Sequence, residues 1–366
     1  SLTHAVELKV YLMAHLLWDP AKDEKQLTDE FLQGYYGAAA PMIDAWYALV
    51  REQATNVRLT WNTGPEAPWL GLDAMNRGTE LFEQAETVVA GDPVLEARVR
   101  RARLALDHQW VLDYSVYRRE AEHAGKPFRG PPDAAQAVRD LTDTVLAETE
   151  RTRDQAMTGV IRACVGGSYD AYLQRVTARA TIKPGPLPPR FAELPRERVI
   201  DMDESLATVF GYAGASIVED RKASNGMAMR VPRADQPSWA VQAKTTRISA
   251  LGGYGRYHIY AVVRCEVQAE NGQALVGGVW DDGSRQGLGA VSFPIGKPGP
   301  VPTQQDIDAN PEIRFATISS GAAVTDGEYH TYDFGVYDLL NPNLSVWVGT
   351  TTGDMYVDRF ILVREP

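Results

Sequence analysis

The hydrophobic period of the chain changes near its middle, and this change constrains the fold more than any other feature. From residue 1 to about 180, apolar residues recur at the i, i+3, i+4 spacing of amphipathic helices. From about 198 to 366 they alternate with a period of two, between short turns rich in glycine. We therefore predict an antiparallel helical bundle followed by an antiparallel β-sandwich.

The two regions meet at a segment with five prolines, TIKPGPLPPRFAELPRER at 181–198. Proline removes a backbone donor and interrupts helices, so this segment is predicted to be a semi-rigid linker without helix. The predicted domains are a helical domain at 1–180, the linker at 181–198 and the sandwich at 199–366.

Capping residues, glycines and prolines predict where the six or seven expected helices begin and end. Asp23 or Thr28 is expected to cap the second helix, which ends at Gly37. The longest helix is predicted to begin at Pro93 and to run to about His123. A stripe of buried apolar residues is predicted to continue along the whole of this helix.

The first predicted helix, LTHAVELKVYLMAHLLWDP at 2–20, is apolar over most of its surface. Val6, Val10, Met13 and Leu17 broaden a stripe that is already complete, and such a helix needs cover on several sides. We expect some of these four side chains to be exposed in the isolated chain. We also expect the chain to be the C-terminal part of a larger protein.

Composition excludes several classes of partner. The formal charge of −11 disfavours nucleic acid and anionic membranes, which both need a basic surface. No apolar run approaches the roughly 18 residues of a membrane span. Cys265 alternates with apolar residues and is predicted to be a small buried side chain. A disulfide between Cys265 and Cys164 is not expected.

Common catalytic signatures are missing from the sequence. The six histidines never pair at metal-binding spacing, and neither a nucleophile elbow nor a phosphate-binding loop occurs. Hydrolysis of a glycosidic bond needs two carboxyls about 5–10 Å apart across a cleft. The adjacent pairs Asp281–Asp282 and Glu219–Asp220 suit turns better, because neighbouring residues of a strand face opposite ways. No catalytic residue is therefore assigned.

Aromatic residues give the clearest functional indication. Tryptophan and tyrosine rings stack on the apolar C–H faces of sugars, whose hydroxyls need polar partners. The candidates in the second half are Trp239, Tyr254, Tyr257, Trp280 and Trp347. Trp280 ends an apolar strand beside a polar loop, so we predict a carbohydrate-binding site at Trp280, Asp281 and Asp282. Trp347 is predicted to face away from the apolar side of its strand.

Two segments of the first half resemble a known family. They are VYLMAHLLWDPAKDEKQLTDEFLQGYYGAAAPMIDAWYALV at 10–50 and ELFEQAETVVAGDPVLEARVRRARLALDHQWVL at 80–112. Both resemble the region after the catalytic barrel in large bacterial glycoside hydrolases related to the α-glucuronidases, formerly a domain of unknown function. Some members are similar to endo-acting β-N-acetylglucosaminidases. The resemblance implies a catalytic barrel before residue 1, so no catalytic acid can be transferred to this chain.

The second half resembles the galactose-binding-like, jelly-roll carbohydrate-binding sandwich that ends such proteins. The matching segments include VIDMDES at 199–205, VEDRKASNGMAMRVP at 218–232 and YVDRFILV at 356–363. The resemblance implies a structural Ca²⁺ held by Asp201, Asp203 and Asp358. Residues i and i+2 of a strand share a face, so the first two can converge. Carboxylates this close need a cation, or else arginine and backbone N–H groups in its place.

These observations leave three functions open. The first is the non-catalytic C-terminal part of a secreted or cell-surface glycoside hydrolase, with a glycan or polysaccharide and the missing catalytic barrel as partners. The second is a free-standing carbohydrate-binding or adhesion protein. The third, a polysaccharide lyase, is disfavoured because no Tyr/His/Arg catalytic set is evident.

Overall fold

The computed structural model of the protein describes residues 5–55, 70–152, 177–235, 239–295, 318–319 and 322–366. The chain divides into two compact units, Ser1–Thr181 and Ile182–Pro366. The first contains helices and the second contains two β-sheets, so the predicted fold class is confirmed. Among the described residues, no helix has both the length and the hydropathy that crossing a bilayer requires.

Seven helices of the first unit are described over their length, and residues 177–181 are also helical. The seven are α1 (Val6–Trp18), α2 (Glu24–Tyr36), α3 (Ala40–Ala54), α4 (Leu72–Val88), α5 (Pro93–Leu112), α6 (Tyr114–Ala124) and α7 (Ala134–Thr152). Each of the first five packs on the next along the chain, and α7 packs on α5. Large side chains fill the core between them, among them Trp46, Phe82, Leu106 and Trp110. Burial of these side chains is the main source of stability for the unit.

Helix ends follow the predicted caps. The Asp23 carboxylate accepts the backbone N–H of Gln26 at 2.8 Å, which identifies Asp23 as the N-cap of α2. The helix ends at Tyr36, and Gly37 follows with a φ of 53°, a conformation that favours glycine. The prediction of an end at Gly37 is confirmed.

The prediction of one long helix from Pro93 to His123 is wrong, because the helix breaks at Asp113. This residue leaves the helical region, with φ −113° and ψ 27°, and its carboxylate accepts a 2.7 Å hydrogen bond from Gln109 Nε2. The backbone N–H of Asp113 still donates to the carbonyl of Gln109 at 3.2 Å, so the break is a local change of backbone direction between α5 and α6. After the break, the Tyr117 hydroxyl donates to the carbonyl of Leu70 at 2.8 Å.

Helix α1 exposes much of its apolar surface, as its composition predicts. Val10, Met13 and Leu17 are 61%, 60% and 80% exposed, and Trp18 is 89% exposed. Leu8 is buried against the rest of the unit. The expectation that this helix is incompletely covered is confirmed.

The second unit contains two six-stranded sheets. The strands are β1 (Val199–Asp203), β2 (Thr208–Val209), β3 (Ser216–Glu219), β4 (Met227–Val231), β5 (Val241–Lys244), β6 (Gly255–Val267), β7 (Gln273–Asp281), β8 (Gln286–Pro294), β9 (Ile318–Ser319), β10 (His330–Leu339), β11 (Leu344–Gly349) and β12 (Gly353–Arg364). The first sheet has the order β10-β6-β12-β4-β3, with β1 also paired to β12. The second has the order β2-β5-β11-β7-β8-β9. All described pairs are antiparallel except β8–β9.

The sheets pack face to face, and a close approach fixes which residues point inward. A side chain at Gly277 of β7 would place its Cβ 2.2 Å from the Phe334 ring of β10, in the opposite sheet. Gly277 pairs with Val348 of β11, so Val348 and Val346 also face the interior. Trp347, between them, therefore faces outward, as predicted.

The proline-rich segment is more ordered than the sequence predicts. It contains a short helix, α8 (Pro189–Ala192), and a 3₁₀ turn at Arg196–Arg198. The expectation that it has no helix is wrong, because proline fits the first turn of a helix, where its missing N–H has no partner to lose. Phe191 is buried against Tyr260 of β6, with ring centroids 5.0 Å apart.

Backbone contacts also tie this segment to the first sheet. The carbonyl of Lys183 accepts from Asn225 at 3.1 Å, and the carbonyl of Gly185 accepts from Arg359 at 3.1 Å. A Cβ at Gly185 would lie 2.4 Å from the Ser224 hydroxyl, so only glycine fits there. The segment is therefore a packed part of the second unit.

Candidate functional site

Three tryptophans meet on the outward face of the second sheet. The rings of Trp239 and Trp280 are nearly parallel, with centroids 5.8 Å apart and an interplanar angle of 19°. The ring of Trp347 is close to perpendicular to Trp239, at 5.9 Å and 75°. Trp280 pairs with Ser345 across the β7–β11 ladder, and Ser345 and Trp347 are two residues apart, so all share one face.

The three rings differ in exposure. Trp347 is only 8% exposed, Trp280 is partly buried, and Trp239 is 49% exposed. Trp347 therefore supports the cluster from below, while Trp239 presents its ring to solvent. Together with Gln242, Lys244, Asp282 and Ser345, these rings form what we call the tryptophan face.

The backbone of Trp239 is strained. Its φ of 47° is in the left-handed region, which costs a residue with a Cβ about 1–2 kcal/mol. The side-chain amide of Gln242 donates to the carbonyl of Trp239 at 3.1 Å and helps to hold this conformation. Strain of this kind persists where the surroundings fix it, often at binding sites.

Polar groups of both charges lie beside the rings. Lys244 Nζ donates to Asp282 Oδ2 at 3.1 Å and to the Ser345 hydroxyl at 2.8 Å. Asp282 is exposed. The tryptophan face thus offers one cation, one anion and a hydroxyl next to an aromatic surface. Sequence reasoning missed Lys244 and Ser345. The available signal was strand alternation, because Lys244 lies two residues after Gln242 in β5 and Ser345 lies two residues before Trp347 in β11.

The predicted carbohydrate-binding residues have different positions. Trp280 and Asp282 belong to the tryptophan face. The Asp281 carboxylate instead accepts the backbone N–H groups of Gly283 at 2.8 Å and Ser284 at 3.3 Å, and so shapes the β7–β8 turn. Tyr257, another aromatic candidate, is buried and donates its hydroxyl to the carbonyls of Gly252 and Gly253.

A second cluster lies on the outward face of the first sheet, where acids surround a buried arginine. Asp201 and Asp203 of β1 pair opposite Ile361 and Arg359 of β12, so both carboxylates lie on one face. The β6–β12 register shifts between Val357 and Arg359. This shift is the signature of a bulge, which re-aims side chains.

Arg359 is fully buried and joins three chain segments. Its Nη1 donates to both carboxylate oxygens of Asp201 at 3.2 Å, and its Nε donates to Asp358 Oδ2 at 2.7 Å. Its Nη2 donates to the Ser224 hydroxyl. Burial alone would lower the pKa of Arg359, but the carboxylates of Asp201 and Asp358 raise it, so the guanidinium stays charged.

The remaining acids of the cluster have partners of their own. Asp203 Oδ1 accepts the backbone N–H of Ser205 at 3.0 Å and its hydroxyl at 2.5 Å. Glu204 Oε1 accepts from Asn225 at 2.5 Å. Burial, together with the charge of Asp203, raises the pKa of Glu204 to about 7.

The acids of this cluster include the three predicted ligands of Ca²⁺. Among the described residues, no group of three His, Cys, Asp or Glu side chains is arranged to hold a metal ion. Arg359 bridges Asp201 and Asp358, in the place where a cation would bind both carboxylates. The residues fit the arginine alternative, and calcium at Asp201, Asp203 and Asp358 stays a prediction.

The described residues thus define a two-unit protein in which helices precede a β-sandwich with an exposed tryptophan face. A family described as a domain of unknown function, DUF4838, matches residues 1–48. No curated protein matches the chain.

Several solved structures are similar to the chain at low identity. The CBM22-1 xylan-binding domain of Paenibacillus barcinonensis Xyn10C is 12% identical over 46% of this chain and 95% of its own, with a TM-score of 0.28. A carbohydrate-binding module of Cellvibrio mixtus lichenase 5A, in complex with cellotriose, is 9% identical over 46% and 98%, with a TM-score of 0.26. A family GH115 4-O-methyl-α-glucuronidase is 11% identical over 96% of this chain, with a TM-score of 0.27. The chain spans 43% of that enzyme's length. Likeness at this level assigns no function.

Proposed function

We propose that the second unit binds a glycan on the tryptophan face. The near-parallel pair of Trp239 and Trp280, with Trp239 half exposed, is the observation that carries this proposal. A partly exposed pair of indole rings is an apolar surface whose contact with water is unfavourable. The C–H faces of a sugar ring can stack on this surface.

The polar neighbours match the rest of a sugar. Hydroxyls both donate and accept, so they can accept from Lys244 and donate to Asp282. Because Gln242 holds Trp239 in place, little ordering is needed on binding. A surface with one or two stacking rings supports affinity on the order of millimolar, about 4 kcal/mol.

The wider context is also part of the proposal. We infer that the chain belongs to a secreted or cell-surface glycoside hydrolase whose catalytic barrel is a separate region that contacts α1. The support is the exposed apolar stripe of Val10, Met13 and Leu17, since exposed apolar patches commonly mark interfaces. A free-standing carbohydrate-binding or adhesion protein is the alternative.

Affinity electrophoresis in gels containing xylan, β-glucan or arabinogalactan tests glycan binding. We expect retention on at least one polysaccharide, lost in Trp239→Ala and Trp280→Ala, with melting temperatures measured to verify folding. The matched control is Trp18→Ala, because Trp18 is also exposed but lies in the first unit. Retention that survives both substitutions, or no retention on any glycan, contradicts the proposal.

The mass of the natural protein separates the glycoside hydrolase from the free-standing binding protein, and activity assays test whether this chain is catalytic alone. If the barrel is a separate region, the purified chain should not hydrolyse aryl β-N-acetylglucosaminides, α-glucuronides or complex glycans. The intact mass of the natural protein should then exceed this chain by several hundred residues. Turnover that depends on an acid of residues 1–366 would refute this context without affecting glycan binding.

A further inference from the structure

Lys244 and Asp282 form an ion pair at the edge of the stacking rings of the tryptophan face. Lys244 of β5 and Trp280 of β7 lie opposite the same residue, Ser345, of the strand between them. Neighbouring strands are about 4.8 Å apart, so the lysine and the indole flank the serine on one face of the sheet. The Lys244 ammonium donates to the Ser345 hydroxyl and so lies on the side of Trp280. A sugar stacked on the rings has this charged pair at its edge.

Both members of the pair keep hydrogen-bonding capacity for a ligand. An ammonium has three N–H groups, and toward the described residues Lys244 uses two of them, on Asp282 Oδ2 at 3.1 Å and on the Ser345 hydroxyl at 2.8 Å. No residue in the described part of the chain donates to Asp282 Oδ1. The lysine and aspartate side chains are 26% and 55% exposed, so a ligand in solution reaches both. The pair therefore presents a donor and an acceptor side by side.

The spacing of this donor and acceptor suits two hydroxyls on neighbouring carbons of a sugar ring. Staggered bonds hold the two oxygens of such a diol about 3 Å apart, and Lys244 Nζ is 3.1 Å from Asp282 Oδ2. One hydroxyl accepts from the ammonium while its neighbour donates to the carboxylate. Both hydrogen bonds have a charged partner, and bonds of this kind are roughly twice as strong as neutral ones. Hydroxyls separated by a further carbon lie too far apart to make both contacts in this way.

The linkage of a glycan decides whether its backbone has such diols. A 1,4-linked chain of glucose or xylose keeps hydroxyls on C2 and C3 of its residues. A 1,3-linked glucose chain uses the oxygen on C3 for the linkage, and its remaining ring hydroxyls, on C2 and C4, are not neighbours.

We propose that the tryptophan face selects glycans whose backbone residues keep two free hydroxyls on neighbouring carbons, as 1,4-linked chains do. Lys244 and Asp282 determine this selectivity, while Trp239 and Trp280 provide the stacking surface. This inference rests on the proposed glycan site and names the class of glycan that the site takes.

Isothermal titration calorimetry with cellohexaose, xylohexaose and laminarihexaose tests the selectivity on the full chain. Cellohexaose and laminarihexaose contain the same sugar and differ in their 1,4 and 1,3 linkages. We expect both 1,4-linked hexaoses to bind at least about five-fold more tightly than laminarihexaose, because hydrogen bonds to two charged groups are lost with the latter. The terminal residues of laminarihexaose still have diols, which limits the difference.

Substitution of either charged residue should remove the preference. Lys244→Gln and Asp282→Asn should bring cellohexaose down to the affinity of laminarihexaose, since stacking on the rings does not depend on linkage. The matched control is Lys222→Gln in the turn between β3 and β4 of the other sheet. Lys222 also forms an exposed ion pair, with Glu328 at 2.7 Å, and its substitution should keep the preference.

Equal affinities of the unmodified chain for cellohexaose and laminarihexaose would overturn the proposal. A preference that survives both substitutions, or one that is also lost in Lys222→Gln, would overturn it as well. So would retention on a polysaccharide by a chain that binds neither 1,4-linked hexaose. The glycan site itself fails only if no polysaccharide retains the chain, or if retention survives Trp239→Ala and Trp280→Ala, so the two failures can be distinguished.

Discussion

Asp358 and Arg359 are consecutive residues of strand β12, yet their side chains are joined by a hydrogen bond of 2.7 Å. Neighbours on a regular strand point to opposite faces. The register shift between Val357 and Arg359 brings the two groups together. The bulge thus places a guanidinium among acids that would otherwise repel one another.

Removing that guanidinium should destabilise the second unit strongly. Arg359→Gln leaves Asp201 and Asp358 buried without their counter-charge, which costs about 3–5 kcal/mol. Urea denaturation followed by the near-ultraviolet signal measures the loss. Arg256→Gln is the control, because that arginine is exposed and its ion pair with Asp338 should contribute less than about 1 kcal/mol. Equal losses in the two variants would show that the buried cluster carries no special stability.

Calcium at Asp201, Asp203 and Asp358 can be tested separately. If Ca²⁺ binds, the melting temperature should rise with the logarithm of its concentration above the dissociation constant, and chelator should reverse the rise. Asp358→Ala should remove this response. A melting temperature that is the same with Ca²⁺ and with chelator would leave Arg359 as the counter-charge of the cluster.

The stability of the helical unit should depend on His108 at mildly acidic pH. Burial lowers the pKa of His108 to about 4, below the usual 6.5 that the unfolded chain retains. Between these values the unfolded state binds a proton that the folded state does not, so stability falls as the pH drops from about 6.5 to 4. His108→Gln should flatten this slope in denaturation followed by helical circular dichroism. His15→Gln, on helix α1, should keep it, and an unchanged slope in His108→Gln would contradict the assignment.

Cys265 should be unreactive in the folded protein. The residue is 3% exposed, as its alternation predicts, and burial raises its pKa to about 12. At pH 8 only roughly one thiol in ten thousand is then ionised, and the thiolate is the reactive form. Labelling with a disulfide reagent should be very slow in buffer and complete in denaturant. Cys164 lies outside the described residues, so the test uses a Cys164→Ser background; rapid labelling in buffer would refute burial.

Much of the fold could be predicted from local pattern. Strand β11 was predicted because Leu344, Val346 and Val348 alternate with outward residues, and the start of α2 was predicted because Asp23 can cap it. Strand β8 is not evident from local pattern, since Gly287 and Gly289 interrupt its alternation and glycine disfavours strands. These glycines have a packing reason that only the tertiary structure reveals, such as the ring of Tyr337 against Gly289.

The candidate sites were predicted less completely. Tryptophans could be proposed as sugar-binding residues by type, but the meeting of Trp239 with Trp280 depends on strand pairing that is not local in sequence. Arg359 was missed as the partner of Asp201 because a bulge, rather than strand periodicity, sets its direction. Short-range pattern therefore identifies the types of residue at the sites. Strand register and bulges determine which of these side chains contact one another.

The packing of the proline-rich segment sets where this protein can be divided into fragments. A fragment that begins at Val199, the first strand residue, would lose Phe191 from the surface of Tyr260. It would also lose the Gly185 carbonyl that accepts from Arg359, and a buried N–H would be left without that partner. A fragment that keeps the sandwich intact has to begin near Ile182, so the folding unit starts well before its first strand.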